Sequence, residues 1–219
     1  MLTKYGTDNI VVMLAIGIGL IVLSNFISLM WLKIPTIVLG LMLIIMTFVF
    51  FRDPIRTIPD EVTKDKSLVL APADGKVMNI IEIEENDYMK TLSKRISIFL
   101  SPLDVHVNRS PITGKVEYFD FVEGKFLAAY NHESSDLNEQ SKIGVNTHYG
   151  KVLFKQIVGV MARRIVSDVL VGTEIEAGDK IGMMKFGSRM DIFLPLGSEI
   201  YCKVGNRIVA GETIIAKIK

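Results

Sequence analysis

Cysteine occurs once in the chain, at Cys202. That excludes an internal disulfide and any zinc site built from several cysteines, and it fits a reducing compartment. Histidine is almost as scarce. His106, His132 and His148 are the only three, and no two stand at the i, i+4 or close-pair spacing of a metal site, so no metal is expected. A charge excess is missing too. The formal net charge is +1, and once Lys4, Lys33 and Asp8 of the N-terminal segment are set aside, the remainder balances at 23 basic and 23 acidic residues. Such a surface offers a nucleic acid no basic patch, and no nucleic-acid partner is expected. Charge is absent altogether from Ile10 to Leu32 and again from Ile34 to Phe51.

Those two runs explain why the chain is 49% hydrophobic with a mean hydropathy of +0.37. At ~1.5 Å per residue, each can cross or nearly cross a hydrocarbon core of ~30 Å. The sequence predicts a transmembrane helical hairpin over residues 1–51, with its turn at Trp31-Leu32-Lys33-Ile34-Pro35; a single helix broken at Pro35 is the rival, and a cleaved signal peptide fits poorly because the apolar stretch is too long. Lys4 before the first run and Arg52 and Arg56 after the second place both ends, and so residues 52–219, on the cytoplasmic side of the cell membrane.

Beyond Phe51 the pattern is of strands and turns. Leu68-Val69-Leu70 runs into the turn Asp74-Gly75, Ile96 to Leu100 reads as a buried strand, and Met190 to Leu194 alternates like a strand with one buried face. Glu133 to Ser141 reads as an exposed loop, and Lys155 to Val166 is ambiguous. Ala177-Gly178-Asp179-Lys180 is echoed by Ala210-Gly211-Glu212-Thr213. These repeated units predict a mainly β, barrel-sandwich-like domain with internal duplication.

The candidate chemistry centres on Gly187-Ser188. One reading is a bulge followed by an ordinary strand serine. The other is a serine that attacks its own preceding carbonyl, where glycine leaves the approach open and tolerates strain. A second Gly-Ser, Gly197-Ser198, is present. His106, between apolar neighbours, is either a site residue or a satisfied core histidine, and Asp74 taken alone is a turn former.

Six stretches in order resemble the short membrane-anchored form of phosphatidylserine decarboxylase: Phe51-Arg52-Asp53-Pro54, Ala71-Pro72-Ala73-Asp74-Gly75-Lys76-Val77, Phe99-Leu100-Ser101-Pro102-Leu103-Asp104-Val105-His106-Val107-Asn108-Arg109, Asn138-Glu139, Ala162-Arg163-Arg164-Ile165 and Lys185-Phe186-Gly187-Ser188-Arg189. The resemblance implies a proenzyme that cleaves itself between Gly187 and Ser188 into chains 1–187 and 188–219, held together as a heterodimer, with a covalent pyruvoyl group formed from Ser188. It assigns Asp74, His106 and Ser188 as the catalytic residues and phosphatidylserine in the membrane as the substrate, converted to phosphatidylethanolamine and CO₂. Lys155, Arg163 and Arg164 are candidates to hold the lipid phosphate. Many longer relatives have a second histidine where Arg109 stands, so duties shared there fall here on His106. A lipoyl- or biotinyl-like binding module is the alternative from the turn pattern, with Lys180 and Lys185 as poorly placed carrier lysines; an ether-lipid serine head group is the alternative substrate. Homo-oligomerisation is left open.

Overall fold

The structure of the chain, a computed structural model, describes residues 1–125, 137–159, 164–185 and 188–219. It divides into two compact units, Met1–Ile55 and Arg56–Lys219.

In the first unit, helix α1 (Thr7–Ser24) and helix α2 (Met30–Phe50) pack as a hairpin. The segments Lys4–Ser24 and Met30–Phe50, with mean hydropathies of 2.0 and 2.3, are long and apolar enough to cross a membrane. Helix α1 stops where Ser24 Oγ donates to the Ile21 carbonyl at 2.6 Å and Asn25 Nδ2 donates to the Ile21 and Val22 carbonyls at 3.3 and 3.2 Å. These side chains satisfy carbonyls that a helix end leaves without partners. The connection is therefore 25–29, and the expected turn at Trp31–Pro35 is corrected: Pro35 stands inside α2, in its second turn, where its missing N–H removes a single intrahelical bond. A continuous helix broken at Pro35 is excluded. A Cβ on Gly40 would lie 2.7 Å from the Gly17 carbonyl oxygen, so glycine is what lets the two helix backbones approach this closely.

In the second unit a short helix α3 (Asp60–Lys64) precedes the strands β1 (Leu68–Leu70), β2 (Gly75–Glu85), β3 (Thr91–Leu100), β4 (Val107–Arg109), β5 (Gly114–Val122), β6 (Gln140–Thr147), β7 (Gly150–Ile157), β8 (Ile165–Ser167), β9 (Glu174–Ile175), β10 (Lys180–Met184), β11 (Ser188–Pro195), β12 (Glu199–Ile200), β13 (Arg207–Ile208) and β14 (Ile214–Lys217). They form an eight-stranded curled sheet in the order β13-β2-β3-β11-β7-β6-β5-β9 and two three-stranded sheets, β4-β10-β8 and β1-β14-β12. The mainly β, barrel-like architecture read from the sequence is present. The echoed turns are also alike: Gly178 and Gly211 both adopt positive φ, +93° and +74°, which an L side chain would resist.

The expected loop at residues 133–141 is corrected in part. Residues 133–136 lie outside the described ones, Asn138 is buried, and Gln140 and Ser141 open β6. Polarity misled because Asn138 and Ser141 hydrogen-bond inside the fold.

Side-chain alternation gives the eight-stranded sheet two different faces. Inward point Ile96, Ile98 and Leu100 of β3, Met190, Ile192 and Leu194 of β11, Val152 and Phe154 of β7, and Ile143 and Val145 of β6, all buried in one apolar cluster. Each such side chain contributes roughly 1.5–3 kcal/mol by leaving water. Outward point Arg95, Ser97, Arg189, Asp191, Phe193, Lys155, Gln140 and Lys142. The β2–β3 connection folds back over this outer face: a Cβ on Gly144 would meet the Tyr88 ring at 2.7 Å, and Tyr88 packs with Leu153 and Phe193.

Candidate active site

Strand β11 lies between β3 and β7, and its alternation decides where Ser188 points. Arg189 and Asp191, both fully buried, occupy the outer face, where Arg189 Nε donates to Asp191 Oδ1 at 2.7 Å and its Nη2 donates to Ser97 Oγ at 2.7 Å. Ser188 is therefore turned inward with Met190 and Ile192. Its hydroxyl is buried and has no hydrogen-bond partner among the described residues. An unpaired buried hydroxyl costs stability, and such groups persist where function requires them.

Two chain crossings bring His106 to this end of the sheet. Strand β3 ends at Leu100, directly opposite Ser188, and the loop 101–106 then leads into β4 of the small sheet. In the reverse direction, β10 pairs with β4 and the Met184 N–H donates to the His106 carbonyl at 3.4 Å, after which the chain leads to Ser188. The loop is closed by Asp104: its Oδ2 accepts from the Ser101 N–H at 2.8 Å and its own N–H donates to the Ser101 carbonyl at 2.9 Å. Arg207 Nη2 donates to the other carboxylate oxygen. The Asp104 carbonyl lies 2.8 Å from His106 Nδ1. A carbonyl can only accept, so Nδ1 carries the hydrogen, and in the neutral ring Nε2 holds the lone pair that can take a proton.

A second tie joins the small sheet to the inner face. Asn108, on the same side of β4 as His106, accepts at Oδ1 from Gln156 Nε2 at 2.8 Å, and Gln156 Oε1 accepts from the Ser141 and Ser167 hydroxyls at 2.7 Å each. Gln156 pairs with Met190, which makes it a diagonal neighbour of Ser188, roughly 7–8 Å away by sheet geometry. Sequence reasoning missed this buried network. Its one visible signal is a glutamine at a core position of β7, between Phe154 and Val158.

Asp74 sits just ahead of β2, whose neighbour β3 separates it from β11. Gly75 permits that placement, since a Cβ there would lie 2.3 Å from the Phe99 carbonyl oxygen. The Asp74 carboxylate accepts from Arg56 Nη2 at 2.9 and 2.8 Å and from the Ala210 N–H at 2.8 Å. The acceptor that orients the imidazole through Nδ1 is thus the Asp104 carbonyl, while Asp74 fastens Arg56 and the segment before β14 to the same end of the sheet. Arg109, standing where longer relatives have histidine, is buried and donates from Nη1 to the Gly178 carbonyl at 2.8 Å. Asn138 Nδ2 donates to the Val158 carbonyl at 2.7 Å, holding the end of β7. Next to it, burial and then the nearby Glu123 raise the Glu139 carboxyl above its ordinary pKa.

The candidate phosphate contacts separate. Arg164 is exposed, and its carbonyl accepts from the Lys185 N–H at 3.3 Å, beside the strand end that leads to Ser188. Lys155 is on the outer face, opposite to the side on which Ser188 points, and donates to Asp87 Oδ2 at 2.9 Å. Arg163, Gly187 and His132 lie outside the described residues. Among the described residues no group of three or more His, Cys, Asp or Glu is placed to hold a metal ion.

Fold and site together define a mainly β domain in which Ser188 and His106 are both fully buried, preceded by two helices apolar enough to cross a membrane. The profile of the phosphatidylserine decarboxylase family matches residues 43–216, and the chain belongs to this family. A phosphatidylserine decarboxylase proenzyme of Carboxydothermus hydrogenoformans is 42% identical over 205 residues, 93% of this chain and 92% of that one. One from Pelodictyon phaeoclathratiforme is 40% identical over 217 residues, covering 99% and 100%. One from Amoebophilus asiaticus is 48% identical over 170 residues, covering 77% and 74%.

The buried pair beside Ser188 generates a stability prediction. In a Ser188→Ala background, Arg189→Met leaves the Asp191 charge buried without its guanidinium and is expected to destabilise the fold by about 3–5 kcal/mol in urea unfolding. Adding Asp191→Leu should recover part of that loss. A loss below about 1 kcal/mol for the single substitution would contradict the pairing.

Proposed function

We propose that this decarboxylase matures by cutting itself between Gly187 and Ser188, and that the observation supporting this most strongly is the buried, unpartnered Ser188 hydroxyl at the strand end to which the His106 segment also leads. Serine is a poor nucleophile until a base removes its proton. His106 Nε2 takes that proton as Ser188 Oγ adds to the carbonyl of residue 187. The C–N bond then breaks, the freed amine takes up a proton, and an ester links residue 187 to the side chain of Ser188. Loss of the Ser188 Cα proton expels the carboxylate of residue 187, which becomes the end of the 1–187 chain. The remaining enamine adds water and releases ammonia, leaving pyruvoyl at position 188. Asp74 is a positioning residue in this scheme, holding the start of β2 beside β3.

The residues present fit that group, because Ser188 is fully buried on the inward face of β11, directly opposite Leu100 of β3, and so screened from water. Once formed, the pyruvoyl carbonyl supplies the electron acceptor for loss of CO₂ from the serine head group of phosphatidylserine. His106 then holds the proton that replaces CO₂. Arg164, and Arg163 beside it in sequence, hold the lipid phosphate. The two chains stay together because β11 pairs with β3 and β7, β13 with β2, and β14 with β1.

Ser198 is the rival cleavage site, since its hydroxyl is also buried without a partner among the described residues. It lies beyond the far end of β11, roughly 25–30 Å along the strand from Ser188. The histidine at that end, His148, is exposed against the Tyr149 ring. Cleavage followed over time on gels should show the natural chain yielding two fragments, Ser188→Ala none, and Ser198→Ala the same two. His106→Ala should slow the reaction by about 10²–10⁴-fold. Cleavage of Ser188→Ala, or normal cleavage of His106→Ala, would overturn the assignment.

We further propose that Arg56–Lys219 faces the cytoplasm, on the grounds that Lys4, Arg52 and Arg56 flank the two charge-free runs from Ile10 to Leu32 and from Ile34 to Phe51. A cysteine replacing Lys33, in the first turn of α2, should then react with a membrane-impermeant maleimide added outside intact cells. Reaction only after lysis would refute the orientation.

A further inference from the structure

The outer face of the eight-stranded sheet holds a cavity of about 250 Å³ beneath the folded-back β2–β3 connection, on the opposite side of the sheet from Ser188. Arg95 from β3, Lys155 from β7 and Gln140 and Lys142 from β6 line it, with Glu84, Glu85 and Asp87 on the connection side.

Two of these side chains are buried and incompletely bonded. Arg95 is only 6% exposed, and among the described residues its Nε has no hydrogen-bond partner; a carboxylate oxygen, Asp191 Oδ2, is 4.0 Å away. Gln140 is 3% exposed, and its Oε1 likewise has no partner among the described residues. The acidic residues do not complete the cavity. Lys142 and Lys155 both donate to the single oxygen Asp87 Oδ2, each at 2.9 Å. Burial opposes ionisation of Asp87, yet the two ammonium groups outweigh it and hold the carboxyl below its ordinary range. Glu85 is occupied by the N–H groups of Asp87, Tyr88 and Met89 at 2.7, 3.0 and 2.6 Å, and Glu84 is exposed at the rim. Arg95, Arg189, Lys142 and Lys155 face Asp87 and Asp191, with the more exposed Asp120 3.9 Å from Lys142 Nζ and Glu84 at the rim.

The missing complement is an oxyanion with several acceptor oxygens, for a guanidinium and two ammonium groups converging from three strands, beside a donor for Gln140 Oε1. We propose that this cavity binds a phosphate ester, its oxyanion held by Arg95, Lys142 and Lys155 and its adjacent hydroxyl or ammonium group donating to Gln140. The ester is either a free small molecule or the head group of a phospholipid. This site is separate from the one that carries the reaction.

The test titrates glycerol 3-phosphate into the full chain in neutral detergent micelles at constant ionic strength, by calorimetry and by melting temperature. Saturable one-to-one binding that raises the melting temperature is expected, with glycerol alone giving none. Arg95→Gln and Lys142→Gln should each weaken binding by about tenfold or more. Lys142→Gln serves as the independent variant if Arg95→Gln fails to fold. Repeating the titration in micelles doped with phosphatidylglycerol separates the sources: loss of the signal identifies a lipid head group as the occupant, and an unchanged signal identifies a free ester. No saturable binding in undoped micelles, or binding of unchanged affinity in the folded variants, would overturn the proposal.

Discussion

The orientation of β11 depends on one buried charge pair. Arg189 and Asp191 alternate with Met190, Ile192 and Leu194, and only one register places the charges on the outer face and the apolar residues in the core. A slip of one residue would drive a guanidinium and a carboxylate into the apolar interior, at a cost of several kcal/mol per ion, and would turn Ser188 outward. The inward position of the Ser188 hydroxyl therefore follows from the residues after it. Ser97 on β3 and the 4.0 Å approach of Arg95 complete the outer-face network.

A similar economy appears in the loop that carries His106. The Asp104 side chain closes the loop on Ser101 and Arg207, and its carbonyl sets the imidazole tautomer. No separate carboxylate is needed for that role, which frees Asp74 to hold Arg56 and the Ala210 N–H. Arg109 acts as a strut from β4 to the Gly178 turn. With one imidazole at this point of the motif, the proposed scheme assigns the proton transfers of maturation and of turnover to the same ring.

Much of the fold was legible because period-two alternation in β3 and β11, the Asp-Gly and Ala-Gly turns, and two charge-free helical runs each have a local cause. The hairpin turn was misplaced because Pro35 and Lys33 look like breakers, whereas Ser24 and Asn25 end the helix by bonding back to carbonyls, a role their identity alone does not announce. Ser188, His106 and Asp74 could be picked out through the family resemblance. The Asn108–Gln156 tie could not, since it joins residues 48 apart through side chains that look like ordinary strand polarity. Lys155 looked like a phosphate ligand near the site. Only the pairing of Lys155 with Asp191 reveals that it lies on the other face.

The claim on which the mechanism rests is that Ser188 ends its life as a serine and becomes the head of a new chain. Accurate mass measurement of the small fragment from purified, active protein tests it most directly. The account predicts a fragment spanning residues 188–219, lighter by one ammonia than the simple hydrolysis product and resistant to sequential N-terminal degradation. An active preparation containing only the intact chain, or a fragment beginning with an unmodified serine at position 188, would contradict it.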